Sequence, residues 1–556
     1  MKIGIYLGYA PAKNMSMKQE GLGRYLAYIM KGLVESNNEV VVACPKWLVP
    51  AIEELCDEHD INENAFRIMT SHNDSAMFRI YWHFHTLEPS KKRVRKKKKQ
   101  TLIRLVDRIT DCVLNISSAV LFVLLLLLVL LAGLVLLPFL LALCIFYAVL
   151  KGVGKVFHIK EVCNALRPRS IIGFLLNRES ILNHIYIKYF VNREFLIQVR
   201  EKAANDIIRQ ISEMKDKADV WYCPMAFWPE FNKIPGKRVV CAPDIVTSNF
   251  AVNFSTNIYG DVSIQTEEVR KTLLNGEYFI TYCEFIKKDL LINQLNKKAE
   301  NVIAIPHAIN DMGPAICIDK RYESRICGAD TETILARRIL ATIKKNVLEE
   351  STYMSKKGRS FSFDDVEYIF YASQVRGNKN FLTLIKAYEY LLRKKNIQIK
   401  LFLTGNIKND PQIYDYVQQN QLQYDVISFT RVSNQQLGAL YKCAKLIVNP
   451  TLYEGGFNFT FGEGMSVGTP SIMGNIPQVQ EVIEGYGLEK YFYDPYDYLD
   501  MAQKIEYGLN HIQQIYQLEL KLYSDLSKRT WSDVGREYVQ AFKYFIEKDR
   551  RDKANE

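Results

Sequence analysis

Residues 112–150 contain no charged side chain, and 34 of those 39 residues are apolar. Directly before them, KKRVRKKKKQTLIRLVDR (residues 91–108) holds ten basic residues and one acidic residue. The full chain of 556 residues carries a net charge of +11, so this one stretch, at +9, leaves +2 for everything else. The excess charge is therefore a local device placed beside the most hydrophobic segment. A nucleic-acid partner is not expected, because the basic run lacks the interleaved aromatics that stack on bases.

The sequence on either side limits what this segment can be. Lys2–Leu7 is an apolar run of strand length. Gly21-Leu22-Gly23 opens a helix with apolar positions at Leu26, Ile29, Met30 and Leu33, and Val40–Ala43 is a second buried strand. That is one βαβ unit of a parallel sheet. The pattern resumes at Val220–Cys223, Arg238–Ala242, Tyr278–Tyr282 and Val302–Ile305, so residues 88–195 read as an insertion into one α/β domain made of 1–87 and 196–312. Both ends of the insertion then lie on one side of any membrane, and an odd number of crossings is forbidden. As one helix the 39 residues would reach about 58 Å, nearly twice a hydrocarbon core of about 30 Å, and Pro138 interrupts them. A helical hairpin, a re-entrant loop or helices lying in one leaflet remain, with a buried core hairpin as the soluble alternative. Lys151, Lys155 and Lys160 follow the segment. Basic flanks at both ends place it at a cytoplasmic membrane face with anionic lipids, anchored through residues 112–150.

Residues 313–365 read as an interdomain connection with some helix. A second α/β domain follows over 366–512, with strands at Tyr368–Ala372, Ile399–Leu403, Val426–Thr430, Leu446–Asn449 and Ser471–Met473. Residues 513–556 read as amphipathic helices. The eleven cysteines form no C-x-x-C pair, which argues against a zinc site and fits buried thiols in a reducing compartment.

The densest chemistry lies in NPTLYEGGFNFTFGEGMSVGTP (449–470). Glu454 and Glu463 flank a glycine-rich turn and a helix start. Glycines allow close backbone approach to a ligand, helix N-termini favour phosphate, and carboxylates accept from sugar hydroxyls. A second stretch, Ser373-Gln374-Val375-Arg376-Gly377-Asn378-Lys379-Asn380, directly follows a strand. Two cations there could stabilise a leaving group that gains negative charge.

These motifs resemble those of the retaining GT-B glycosyltransferases of family 4. The resemblance covers residues 1–85, 215–312 and 366–510, with Leu403-Thr404-Gly405-Asn406, Tyr493-Asp494-Pro495 and Gly21-Leu22-Gly23-Arg24-Tyr25 as further matches. It implies a GT-B fold, two Rossmann-like parallel-sheet domains facing a cleft. It implies Arg376 and Lys379 at the donor diphosphate and Glu454 at the donor sugar. Glu463 falls at the ribose, with Gly21, Gly23, Gly405, Gly455, Gly456 and Asn458 lining the nucleotide-sugar site. Two departures stand out. Eight residues separate Glu454 from Glu463, where the family has seven, with Gly455-Gly456 doubled. Pro243-Asp244 stands where many members have His-Asp. Asp244 and His307 remain candidate cleft residues. The implied activity is transfer of a sugar from a nucleotide-diphosphate sugar to a glycan or lipid-linked acceptor with retention, with no metal or cofactor. The alternative is a non-catalytic GT-B-like scaffold that binds nucleotide sugar or a partner.

Overall fold

The computed structural model describes residues 1–11, 17, 21–59, 61–62, 65–72, 194–242, 262–317, 331–343, 363, 366–430 and 432–555, together with scattered positions between 120 and 131. Two parallel sheets organise it.

The first sheet has seven strands in the order β3-β2-β1-β4-β5-β6-β7. These are β1 (Lys2–Tyr6), β2 (Glu39–Cys44), β3 (Phe66–Thr70), β4 (Val220–Cys223), β5 (Arg238–Cys241), β6 (Tyr278–Thr281) and β7 (Val302–Ala304). β1 pairs with β4 in parallel, Ile3 opposite Val220 and Ile5 opposite Tyr222. Strands on both sides of the long interruption therefore share one sheet, as the apolar pattern requires. The chain leaves after β3 at the sheet edge and returns at its centre through helix α3. Helices α1 (Gly21–Glu35), α2 (Val49–Glu58), α3 (Glu194–Glu213) and α4 (Val262–Asn275) flank the sheet. β1 and β4 are buried at every position, because helices cover both faces of a parallel sheet and leave no polar alternation. β3 is the exception, half-buried with Arg67 exposed, and its lack of an apolar run hides it from sequence reading.

The second sheet has five strands in the order β10-β9-β8-β11-β12. These are β8 (Tyr368–Tyr371), β9 (Lys400–Thr404), β10 (Val426–Phe429), β11 (Leu446–Asn449) and β12 (Ser471–Met473). Alternate residues feed two cores. Ile369, Tyr371, Leu401 and Leu403 point to one face, and Tyr368, Phe370, Phe402 and Ile427 to the other. Helix α5 (Thr331–Thr342) precedes this sheet. Helices α6 (Phe381–Arg393), α7 (Pro411–Gln419), α8 (Asn434–Cys443), α9 (Phe459–Met465) and α10 (Pro477–Ile483) alternate with its strands. Local signals set their starts. Asp410 accepts from the Gln412 and Ile413 amides ahead of α7, and Ser433 with Gln436 forms a reciprocal capping box on α8.

After α11 (Tyr498–Asn510) and α12 (Ile512–Leu526), the last helix, α13 (Trp531–Asn555), returns to the seven-stranded unit. Its Val534, Tyr538, Phe542 and Phe545 join that unit's core. The crossing with α1 is very close. A Cβ on Gly535 would lie 2.6 Å from the Gly32 carbonyl carbon.

The apolar hairpin expected over 112–150 lies outside the described residues, apart from helical positions between 120 and 131. No helix among the described residues is long and apolar enough to cross a membrane. Asp244 also lies outside them.

Candidate active site

The site forms where loops leave the carboxyl ends of β8 and β11, the usual place for ligands in an open parallel sheet. Two asparagines join these loops. Asn378, buried, donates to the Tyr453 carbonyl at 3.0 Å, and its own carbonyl accepts from the Leu452 amide at 2.9 Å. Asn380 sits in the left-handed region at φ 54°. Its side-chain amide donates to the Pro450 carbonyl at 3.0 Å and the Pro495 carbonyl at 2.7 Å. This stitching brings Lys379 and Glu454 into a direct ion pair, each about four-fifths buried. The two residues are separated by 75 positions in the chain. Arg376 stays exposed, with its guanidinium on Gln374 Oε1 at 2.7 Å. It belongs to the same loop but does not reach Glu454's ion pair.

Gly405 ends β9 at φ +89°, and a Cβ there would lie 2.9 Å from the Ser373 carbonyl oxygen. The backbone approach that glycine permits is thus used to hold the Arg376 loop, along with the Ser373 amide on Thr404 Oγ1 at 2.8 Å.

Glu463 occupies the short helix α9 between two glycines. A Cβ on Gly462 would meet Ile309 at 2.7 Å, and one on Gly464 would meet Ile447 at 2.0 Å. The helix is therefore wedged between the sheet and the strand of chain that leaves β7. Its carboxylate is 2% exposed. Three donors hold it: Arg24 Nη1 at 2.8 Å and Asn310 Nδ2 at 3.1 Å on Oε1, and the Tyr441 hydroxyl at 2.6 Å on Oε2. The facing carboxylate, ahead of the cost of burial, raises the Arg24 pKa. Burial is the main cause that raises the Tyr441 phenol well above its ordinary value.

The seven-stranded unit meets this site at several points. Cys283 Sγ donates to the Gly455 carbonyl at 3.4 Å. A Cβ on Gly456 would meet Tyr282 at 2.9 Å and His307 Nε2 at 3.5 Å. His307 stacks on Phe459, with ring centroids 4.1 Å apart. Burial lowers its pKa to about 4, so it is neutral near pH 7. Glu481 accepts from the backbone amides of Glu284 at 2.9 Å and Phe285 at 3.0 Å.

The structure thus gathers Lys379, Glu454, Gly455, Gly456, Glu463 and His307 with Arg376 and Gly405 nearby. Asn458 precedes α9, buried, with its amide nitrogen on the Met473 sulfur at 3.5 Å. Gly21 opens α1, and Gly23 packs where a Cβ would meet the Met17 carbonyl oxygen at 2.0 Å. Sequence reading missed Arg24, Asn310, Tyr441 and the two stitching asparagines. Asn380 left a signal, since asparagine is the non-glycine residue most at ease at positive φ. Among the described residues, no group of three or more His, Cys, Asp or Glu side chains could hold a metal.

Two facing units of parallel sheet and helix, with cations and carboxylates on the loops between them, define a GT-B-like α/β architecture. Structural similarity agrees. Anabaena HepE, solved with UDP and glucose, superposes with a TM-score of 0.52 at 10% identity, over 98% of this chain and 99% of that one. The trehalose-6-phosphate phosphatase N-terminal domain of Candida albicans gives 0.53 at 11% identity, over 98% and 96%. At these identities the likeness shows the fold alone. Residues 354–518, which contain the whole five-stranded sheet and both glutamates, match the glycosyl transferases group 1 family. The chain is 22% identical over 191 residues to an uncharacterized glycosyltransferase of Methanocaldococcus jannaschii, covering 33% of this chain and 46% of that protein. It is 24% identical over 193 residues to the serotype-specific mannosyltransferase WbdA of Escherichia coli, covering 34% and 23%. The match thus spans less than half the length of these relatives.

Proposed function

We propose that the protein is a retaining glycosyltransferase that moves a sugar from a nucleotide-diphosphate sugar to a glycan or lipid-linked acceptor at the cytoplasmic face of a membrane. The observation that carries the reading is the Lys379–Glu454 pair beside the buried Glu463, built by the segment that matches glycosyl transferases group 1. In this reading Glu454 accepts from the donor sugar and Glu463 from the ribose. Lys379 and Arg376 neutralise the diphosphate as the bond to the anomeric carbon breaks. The acceptor hydroxyl attacks from the same face, and its proton passes to the departing phosphate oxygen. The seven-stranded unit presents the acceptor, held close by the contacts at Gly455, Gly456 and Glu481. UDP-sugars are the first donors to test, given the UDP in Anabaena HepE.

The membrane part rests on the sequence of residues 91–150 and on Val120, Leu121, Val123, Leu124, Leu127, Leu128 and Leu131, each more than half exposed. A bilayer is an environment in which such a leucine surface is stable.

Purified protein incubated with radiolabelled nucleotide sugars and membrane extract should transfer label, and Glu463→Ala should abolish transfer. Failure with every common donor refutes the activity, and undiminished transfer by Glu463→Ala refutes the site. Flotation with vesicles of anionic lipid should require residues 91–150. A non-catalytic scaffold is the second reading, motivated by the doubled Gly455-Gly456 and the absent histidine. It predicts nucleotide-sugar binding without product.

A further inference from the structure

Glu463 poses a problem for a ribose-binding carboxylate. A carboxylate offers about four lone-pair sites, and Arg24, Asn310 and Tyr441 take three of them. The side chain is 2% exposed. A ribose presents two vicinal hydroxyls, so at least one present donor must leave.

The three are not equally able to go. The Tyr441 ring is fully buried and edge-on to Phe370, and its backbone carbonyl is held by Thr469 Oγ1 at 2.8 Å. Asn310 is 4% exposed, in the segment whose Ile309 packs on α9. Arg24 comes from the opposite unit, is 24% exposed, and has the longest flexible stem. It also sits in the first turn of α1, directly after Gly21-Leu22-Gly23, which open the helix. A guanidinium released there needs another anion, because an unpaired buried charge is costly. A donor diphosphate supplies it, at the helix end that already favours phosphate.

We propose that Arg24 is a two-position donor-recognition residue: it neutralises Glu463 in the structure seen here and moves to the donor diphosphate when a ribose hydroxyl takes its place on the carboxylate. The inference rests on the donor site proposed above and adds a selection rule. A nucleoside alone must displace Arg24 without giving it a new partner. A nucleoside diphosphate displaces it and re-pairs it. The enzyme therefore discriminates for the diphosphate through the seven-stranded unit as well as through Arg376 and Lys379, and donor binding exchanges one bridge between the units for another.

The test is calorimetric binding of uridine, UDP, guanosine and GDP to the full chain and to Arg24→Gln. The variant should bind the matching nucleoside at least about threefold more tightly, because nothing need be displaced, and should lose about tenfold of the preference for diphosphate over nucleoside. A preference unchanged within twofold, or nucleoside binding no tighter than wild type, overturns the proposal while leaving the donor site intact. Failure of all four probes to bind the wild-type chain overturns the donor site and the proposal together. Should Arg24→Gln not fold, Arg24→Lys decides. Its single ammonium pairs less well with Glu463, so nucleoside affinity should rise about twofold with most of the diphosphate preference kept. Unchanged nucleoside affinity in that variant overturns the proposal.

Discussion

Gly535→Ala tests whether the last helix is bound as closely to the first as the structure shows. An added Cβ would lie 2.6 Å from the Gly32 carbonyl carbon and 2.8 Å from its Cα and O. All three are backbone atoms of α1, so no rotamer change relieves the clash and the helices must part. A gap of roughly 0.5–1 Å forfeits about a quarter to a half of each facing dispersion contact. The contacts at stake include Tyr538 and Phe542 on Tyr222, and Trp531 stacked on Tyr28 at 4.7 Å. Overpacking of this kind costs about 1–3 kcal/mol, and backbone against backbone belongs at the upper end. Alanine's better helix propensity returns about 1 kcal/mol. The net loss of about 2 kcal/mol should lower the melting midpoint by roughly 4–8 °C. Thermal unfolding followed by near-UV circular dichroism reads it, with Gly508→Ala as the control. At Gly508 the nearest atom to an added Cβ is the Leu446 Cδ2 at 2.9 Å, a flexible side-chain end, so its shift should be smaller. A Gly535→Ala midpoint at or above wild type would refute the close crossing.

Three further outcomes follow from the same geometry. Lys379→Ala should reduce kcat about 10²–10³-fold, the usual cost of removing one preorganised charge-stabilising group, and Arg376→Ala, exposed and outside the Glu454 pair, should reduce it less. Steady-state transfer assays with saturating donor compare them. Asn380→Ala should destabilise the protein by about 2–4 kcal/mol, from left-handed backbone strain and two lost hydrogen bonds. Asn380→Gly should recover the strain part in urea unfolding. Burial raises the Glu519 carboxyl well above its ordinary value, ahead of the Ser471 hydrogen bonds that oppose the shift. The folded state then keeps a proton that the unfolded chain releases near pH 4.5. Its contribution is complete below that pH and declines by up to about 1.4 kcal/mol per pH unit as pH rises toward the folded pKa. Glu519→Gln should abolish that slope in urea melts taken across pH 4.5–7, and parallel pH profiles of the two proteins would contradict the assignment.

The central strands were legible because burial on both faces makes them continuous apolar runs. β4 and β11 begin and end where their runs do. β3 was not, because an edge strand with exposed Arg67 needs no such run. The site loops were legible as spacing: Arg376, Lys379, Glu454 and Glu463 stand in an order that only a strand-loop-helix context makes meaningful. Their three-dimensional partners were not. Arg24 stands in the Gly21-Leu22-Gly23-Arg24-Tyr25 motif, but it lies 439 positions from Glu463, and nothing in that local pattern names the carboxylate it pairs with. The docking of α13 was equally hidden. Amphipathic periodicity shows that Val534, Tyr538 and Phe542 share a face, but not which of the two units that face covers.

The placement of the inter-unit contacts carries a mechanical consequence. The groups that the seven-stranded unit brings to the site loops include Arg24, Cys283, the Glu284 and Phe285 amides, and His307. They touch Glu463, Gly455, Glu481, and Gly456 with Phe459. Most of these partners lie on the loop and short helix that carry Glu454 and Glu463, and Glu481 follows on α10. Glycines at 456 and 462 keep that segment free of side chains that would hold the units apart. Motion of one unit against the other must therefore move or break contacts at the carboxylates themselves. Among these contacts Arg24 on Glu463 is the one between full opposite charges, partly buried so that salt screens it less than a surface pair. In the proposed donor site, closure and donor recognition would share this single carboxylate, and a substitution at Arg24 should alter both together.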